Sequence, residues 1–327
     1  MYVLAIDGGG TKTKGVIADC NGNVVASATV GASNPNSVSF SKINQELTLL
    51  IELLKQQSGD RFKRVIRLFA GMSGVEHPTN NKEMSRLLSS LVANDVKVSV
   101  DNDAITALYS GTFGRPGIVQ IAGTGAIAYG LNERGERGRV GGWGYLFSDK
   151  GSGYQLGRDG LEAAFLAYDG AGNDTIIQQL LVDHFKVDDL STVIRIIYQD
   201  NPRELIASLS RIVVQAADHG DIVAGKIIKK CGQDLGKSIA SLATKLFSSK
   251  EKRKIPVVLT GGLFHRLDLF EGEVNLILEQ YQMDTSLIIP QLDPVGGAVI
   301  AGWKQEQEWI DENTTQDFVT NFNRNEV

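Results

Sequence analysis

The stretch VLAIDGGGTK, residues 3–12, decides how this chain is read. Four apolar residues run straight into an aspartate, three glycines and a threonine. That composition fits either a tight turn or a loop shaped to admit phosphate. Glycine lets the backbone approach a ligand closely and adopt positive φ, so consecutive N–H groups can converge on an anion. A second copy favours phosphate. GIVQIAGTGAIAYGL, from Gly117, is again a strand, a glycine loop with a threonine and a returning strand, about 110 residues further on. A plain turn needs no such recurrence. Two like domains facing each other would bring both loops to one cleft.

Working outward, residues 2–7 read as a buried strand, Thr13–Asp19 as a second and Val24–Val30 as a third, with Asn21-Gly22 as the hairpin signal. In SFSKINQELTLLIELLKQQ, residues Ile43, Leu47, Leu50, Ile51 and Leu54 share one helical face. VIRLFAG is the next strand, followed by a helix near Asn81–Val92, the strand VKVSV ending at Asp101, and a helix in DAITALYSG. After the second glycine loop, NERGERG supplies a turn, and helices dominate from about Leu156 to Phe247. Asn201-Pro202 reads as a helix start, with Asn as cap and Pro at the first position. SSKEKRK reads as a solvated loop, IPVVLTGGL as a buried strand ending in a diglycine, SLIIP as a last strand and PVGGAVIAGWKQEQEWI as a closing helix. Hairpin strands followed by strands alternating with helices predict an α/β chain with mixed sheets. The expected domains are 1–112, with the helix near 295–310 packing back on it, and 113–294 with a helical insertion; 311–327 is a weakly patterned tail.

Familiar glycine motifs fail on inspection. A Walker A loop does not fit, because Gly10 to Gly15 is followed by Val16. Thr13 stands where the dinucleotide fingerprint needs its third glycine. GMSGV at 71–75 misses the nucleophile elbow because Val75 replaces the last glycine, which leaves Ser73 as a loop residue lining a site. Asp7 ends a buried strand beside the first loop, where a carboxylate can hold Mg²⁺ or can accept backbone N–H bonds in a turn. Asp101 and Asp103 stand where a strand meets a helix, with capping by Asp101 or Asn102 as the structural alternative. An ionised carboxylate there can accept a proton from an attacking hydroxyl.

The 327 residues suffice for two domains, and 42% of them are hydrophobic. A net charge of -5 argues against nucleic-acid and anionic-membrane partners. The opening residues carry no basic segment followed by an apolar stretch, and a cytoplasmic protein is expected. Cys20 and Cys231 offer no disulfide framework and read as small packing residues. The four histidines have no i, i+4 pair, which disfavours zinc or triad chemistry.

Asp7 with GGGT, then VDNDA, AGTG, TGGL and DPVGGAVIAG, in this order, resemble the five-part signature of the sugar kinase/Hsp70/actin superfamily. LAIDGGGTKT, IAGTGAIAYGLN, VGGWGYLFSDKGSGYQLG and DPVGGAVIAG resemble more closely the BadF/BadG-type ATPases, specifically their N-acetylglucosamine kinase branch, over about residues 2–304. The resemblance implies a two-domain actin-like ATPase fold of ribonuclease H-like units with an interdomain cleft, use of ATP and Mg²⁺, and phosphorylation of an amino sugar at its 6-hydroxyl. It also implies a homodimer.

Carried over by position, Asp103 is the general base and also meets the sugar, and Asp7 sits at the metal. Gly9, Gly10, Thr11, Lys12, Thr124 and Gly125 meet the phosphates, and Gly261 and Gly262 lie against adenosine. Asn34, Gly142, Trp143 and Asp149 bind the sugar. Trp143 as core and Asp149 as a helix cap are the structural alternatives. Lys150 stands where the family commonly has Glu, a charge that suits the lactyl carboxylate of N-acetylmuramate or simply points to solvent. Two competing readings are an ATPase activator of a CoA-ester reductase or dehydratase, which needs suitable cysteines for a shared iron–sulfur cluster, and a non-catalytic sugar-binding regulator.

Overall fold

The computed structural model describes residues 1–199, 201–247, 254–306 and 312–325. The chain divides into two compact units, residues 1–115 with 290–327, and residues 116–289. Of the segment SSKEKRK, expected as a solvated loop, only Lys254 lies within the described residues.

The first unit is built on strands β1 (Tyr2–Gly8), β2 (Thr13–Ala18), β3 (Val24–Val30), β4 (Val65–Met72) and β5 (Lys97–Asn102). Its helices in the first 115 residues are α1 (Phe40–Ser58), α2 (Pro78–Leu91) and α3 (Asp103–Thr112). The sheet order is β3-β2-β1-β4-β5, with β1–β2 and β2–β3 antiparallel and β1–β4 and β4–β5 parallel. Central β1 is buried on both faces, which explains its unbroken apolar run. Leu4 and Ile6 meet the α1 stripe of Ile43, Leu47, Leu50, Ile51 and Leu54, all five buried. Helix α1 is closed at its N-terminus by Ser39, whose side chain accepts from Lys42 N, and at its C-terminus by Gly59 at φ 57°.

The second unit carries β6 (Gly117–Ala122), β7 (Ala126–Leu131), β8 (Arg137–Gly141), β9 (Ile255–Thr260) and β10 (Thr285–Ile288). Its helices are α4 (Gly153–Tyr168), α5 (Ile177–Phe185), α6 (Val193–Ile197), α7 (Pro202–Ser208), α8 (Ser210–Asp218), α9 (Ile222–Leu246) and α10 (Glu271–Gln280). The sheet order β10-β9-β6-β7-β8 repeats the first unit's pattern of an antiparallel meander flanked by parallel strands. Buried Leu235, Ile239, Leu242 and Cys231 of α9 belong to its core. Cys231 is thus the packing residue expected, whereas Cys20 is exposed.

The closing helices α11 (Pro294–Gln305) and α12 (Glu312–Asn325) complete the first unit. Helix α11 crosses α3 closely because a Cβ on Gly297 would lie 1.9 Å from the Thr106 carbonyl oxygen. Residues 311–327, expected to carry little pattern, instead contain α12 over 312–325. Phe318, Val319 and Phe322 are buried, and the two phenylalanine rings stack at 6.0 Å. Burial of two aromatic rings outweighs the weak helix propensity of an Asn- and Thr-rich segment. Asn201 corrects another expectation. Pro202 does open α7, but Asn201 adopts the left-handed conformation at φ 57° and its side chain makes no cap hydrogen bond.

Candidate active site

In the first unit, parallel strands β1, β4 and β5 end side by side, with Asp7 opposite Gly71 and Met72 opposite Asn102. Their carboxyl ends deliver three polar side chains to one edge, the usual place for a ligand on an α/β sheet. Asp7 comes from β1, Ser73 follows β4, and Asp103 opens α3. The Ser73 hydroxyl donates a short hydrogen bond to Asp103 Oδ2. The Thr106 hydroxyl lies 3.1 Å from Asp7 Oδ1 and 2.6 Å from the Asp103 carbonyl oxygen. Asn102, not Asp101, caps α3 by accepting from Ala104 N at 2.8 Å.

Electrostatics set both carboxylates apart. Burial, then the charge of Asp103, raises Asp7 to about 7, with Asp293 adding to the rise and Thr106 and Lys12 opposing it. Burial is also the largest cause holding Asp103 above the ordinary aspartate range, against hydrogen bonds from Ser73 and Ala104 N–H. Asp293, in the DPVGGA segment, caps α11 through Gly296 N at 3.1 Å and pairs with Lys14 Nζ at 3.0 Å. Asp7 thus feels the charges of both Asp103 and Asp293, and Asp293 is itself paired with Lys14. Among the described residues there is no group of three or more His, Cys, Asp or Glu that could hold a metal. The Asp7 carboxylate alone is a hard oxygen donor of the kind Mg²⁺ takes.

The first glycine loop is a tight turn in which Gly9 N donates to Lys12 O at 3.0 Å. Gly8, Gly9 and Gly10 are all outside the positive-φ region, so positive φ is not what their glycines provide. Space is. A Cβ on Gly8 would lie 2.5 Å from Ser33 Oγ, while Gly10, Thr11 and Lys12 are exposed. Asn34 sits behind this edge, its Oδ1 accepting from Asn36 N at 2.8 Å and lying 2.4 Å from where Gly74 would carry a Cβ. Asn34 and the Ser73–Gly74 turn that reaches Asp103 are thus neighbours.

In the second unit, Thr124 and Gly262 line one cavity of about 600 Å³, together with Gly153, Arg211, His265 and Phe270. Gly261 beside it requires glycine twice over, with φ 107° and a Cβ position 2.4 Å from the Ala122 carbonyl oxygen. The loop Gly123–Gly125 is pinned to α4 by Gly153 N donating to Gly123 O at 2.8 Å. Asp149 is buried at 7% exposure, and Gly125 has no side chain because a Cβ there would lie 2.8 Å from Asp149 Oδ2. The helix-cap alternative for Asp149 fails, since Ser152 caps α4 by accepting from Gln155 N. Burial raises the Asp149 pKa, opposed by Arg203, whose Nη2 is 3.4 Å from Oδ2. Trp143 is 64% exposed, which removes the core alternative, and the Arg139 guanidinium covers its ring at 3.7 Å. Gly142, at φ 70°, lies against Ile127. Lys150 is exposed.

Thr106, Lys14, Asp293 and Arg203 are neighbours of the candidate residues to which sequence reading assigned no role in binding or chemistry. Ser73 was legible as a residue lining a site but without its partner Asp103, and Asp293 only as part of a longer motif. Arg203 lies on α7, where the chain pattern gives no sign of its partner.

The profile of the BadF/BadG/BcrA/BcrD ATPase family matches residues 4–302, and this chain belongs to that family. The N-acetylmuramic acid/N-acetylglucosamine kinase of Clostridium acetobutylicum is 31% identical over 300 residues, covering 91% of this chain and 97% of that protein. The N-acetyl-D-glucosamine kinase of Dictyostelium discoideum is 32% identical over 307 residues, covering 91% and 96%. A solved structure from Chromobacterium violaceum, provisionally named an N-acetylglucosamine kinase, superposes with a TM-score of 0.69 at 26% identity, covering 91% of this chain and 98% of that one. A ROK family glucokinase from Streptomyces griseus shares the fold at a TM-score of 0.57 and 16% identity, covering 94% and 100%. The fold is the actin-like α/β architecture expected from the sequence. No helix among the described residues is long and apolar enough to cross a membrane.

Proposed function

We propose that this protein is an ATP-dependent kinase that phosphorylates the 6-hydroxyl of an N-acetylated amino sugar, with N-acetylglucosamine the leading substrate and N-acetylmuramate the second. The observation that carries the reading is the Asp103 carboxylate at the carboxyl ends of the parallel strands, hydrogen-bonded by Ser73 and adjacent to Asp7 and the first glycine loop. The names of the two similar kinases support the same substrate class.

In this reading Asp103 accepts the proton of the sugar hydroxyl as its oxygen attacks the γ-phosphorus. The bond from that phosphorus to the β–γ bridging oxygen breaks, and ADP leaves. Its raised pKa makes Asp103 a better base than an ordinary aspartate while leaving it ionised above that pKa. Gly9, Gly10, Thr11 and Lys12 bind phosphate oxygens, as do Thr124 and Gly125, and Gly261 and Gly262 border adenosine. Asp7 would hold Mg²⁺, which would supply charge neutralisation. Asn34 donates to and accepts from sugar polar groups, the Asp149 carboxylate accepts from them, and Gly142 and Trp143 receive the sugar's apolar face. Recognition of hydroxyls by buried polar groups gives strong discrimination.

A coupled ADP-release assay over a panel of amino sugars, with the product's phosphate located by NMR, tests the proposal. N-acetylglucosamine-stimulated ADP release and a 6-phosphate product are expected. Release that no sugar stimulates would favour a regulator or an activator instead.

A further inference from the structure

Arg203 has no part in phosphate or sugar binding in the proposed reaction, yet its position is singled out by the backbone around it and by its contacts. Its backbone placement is built, not incidental. The residue two before it, Asn201, is held in the left-handed conformation at φ 57°. A non-glycine residue there costs free energy unless its surroundings impose it. Helix α7 is also pressed onto α4, because a Cβ on Gly157 would lie 1.8 Å from the Ile206 carbonyl oxygen. Both features fix where α7 begins, and Arg203 is its second residue.

The guanidinium then reaches the second glycine loop. Nη2 is 3.4 Å from Asp149 Oδ2 and 3.2 Å from the point where Gly125 would carry a Cβ. The Tyr145 ring lies 5.3 Å beneath it and packs edge-on against Tyr154 at 5.1 Å. Tyr154 in turn donates its backbone N–H to Thr124 O at 3.3 Å. Arg203 Nε is buried and has no hydrogen-bond partner among the described residues. An unpaired buried N–H is costly, and it is tolerated where another contact dictates the side chain's pose.

We infer that Arg203 is a positioning residue for sugar recognition: it fixes the Asp149 carboxylate against the second glycine loop as a hydrogen-bond acceptor for the sugar. The inference rests on the reading of Asp149 as a sugar-binding group. Gly125 matters because any larger residue would separate the carboxylate and the guanidinium from the loop. The charged group facing Asp149 among the described residues is Arg203 on α7, and the Ala126 N–H on β7 also donates to it. Desolvation pushes the carboxyl toward its protonated form and Arg203 pulls it back, so an Arg203→Met protein binds sugar through an acceptor that is lost at higher pH.

The test is direct binding of N-acetylglucosamine by calorimetry between pH 5 and 8, on wild type, Arg203→Met, Arg203→Lys and Asp149→Asn. Steady-state kinetics and thermal melts accompany it. In Arg203→Met the dissociation constant is expected to rise about tenfold with kcat changed less than about threefold. The acid limb of affinity should move to higher pH, because the Arg203 charge that favours the ionised carboxyl is gone. Arg203→Lys keeps the charge, so it should restore the limb while recovering only part of the affinity.

Wild-type affinity with an unmoved limb in Arg203→Met would overturn the inference, as would an affinity loss with no movement of the limb, which marks mere packing. If Asp149→Asn alone binds like wild type, the sugar-binding reading of Asp149 fails and the inference goes with it. Weak binding by Asp149→Asn beside unaltered Arg203→Met sinks only the inference. Should Arg203→Met not fold, Arg203→Gln takes its place under the same criteria.

Discussion

Replacing Asp103 by Asn isolates proton acceptance with little disturbance of the fold. The amide has the volume of the carboxylate, and its oxygen can still accept from the Ser73 hydroxyl that reaches Oδ2. The cap of α3 is made by Asn102 and survives the change. What disappears is basicity. Positioned general bases contribute about 10²- to 10⁴-fold, and each factor of ten is about 1.4 kcal/mol of barrier. Burial, which raises the Asp103 pKa, places this group toward the effective end of that range. A kcat lowered about 10³-fold is therefore expected, with the sugar KM within a few-fold and the melting temperature unchanged. In wild type, kcat/KM should fall with acidity through a midpoint above the ordinary aspartate range, a limb that vanishes in the variant. The assay is coupled ADP release with saturating sugar, with calorimetric sugar binding as the control for folding. A kcat within tenfold of wild type would refute the assignment and move the base elsewhere.

Three further outcomes follow from particular contacts. Phe322→Ala, at a fully buried site stacked on Phe318, should cost about 3–4 kcal/mol in urea denaturation; a change under about 1 kcal/mol would mean α12 adds little to the first unit. Asp7→Asn should stabilise the nucleotide- and metal-free protein more at pH 8 than at pH 5. The folded carboxyl titrates near 7 rather than at 3.8, so wild type loses stability as pH climbs from the unfolded to the folded value and the amide does not; equal gains in melting temperature at both pH values would contradict this. Gly261→Ala forces a Cβ into the Ala122 carbonyl at φ 107°, and a raised ATP KM with reduced stability is expected, measured by kinetics and denaturation together.

Much of this architecture could be read from residues 3–12 and their echo from Gly117, because glycine loops between apolar strands constrain the backbone locally. The α1 stripe was equally plain, since its period is a property of the helix itself. Strand β8 was missed. Its RGRVG sequence has two arginines and two glycines, a composition poor in strand formers that is held by pairing with β7. Helix α12 escaped for a related reason, as only tertiary burial of Phe318 and Phe322 reveals its inner face. Within the site, Asp7 and Asp103 were visible at strand ends. Thr106 and Arg203 were not, because each acts on a residue remote in sequence, Asp7 at a separation of 99 and Asp149 at 54.

In the proposed reaction both glycine loops serve one nucleotide. Hydrogen exchange of backbone amides, with and without a non-hydrolysable ATP analogue and Mg²⁺, measures this most directly. Slowed exchange is expected in both 8–12 and 123–125 at the same nucleotide concentration, with N-acetylglucosamine adding protection over 142–149. Protection of one loop while the other exchanges freely would contradict it.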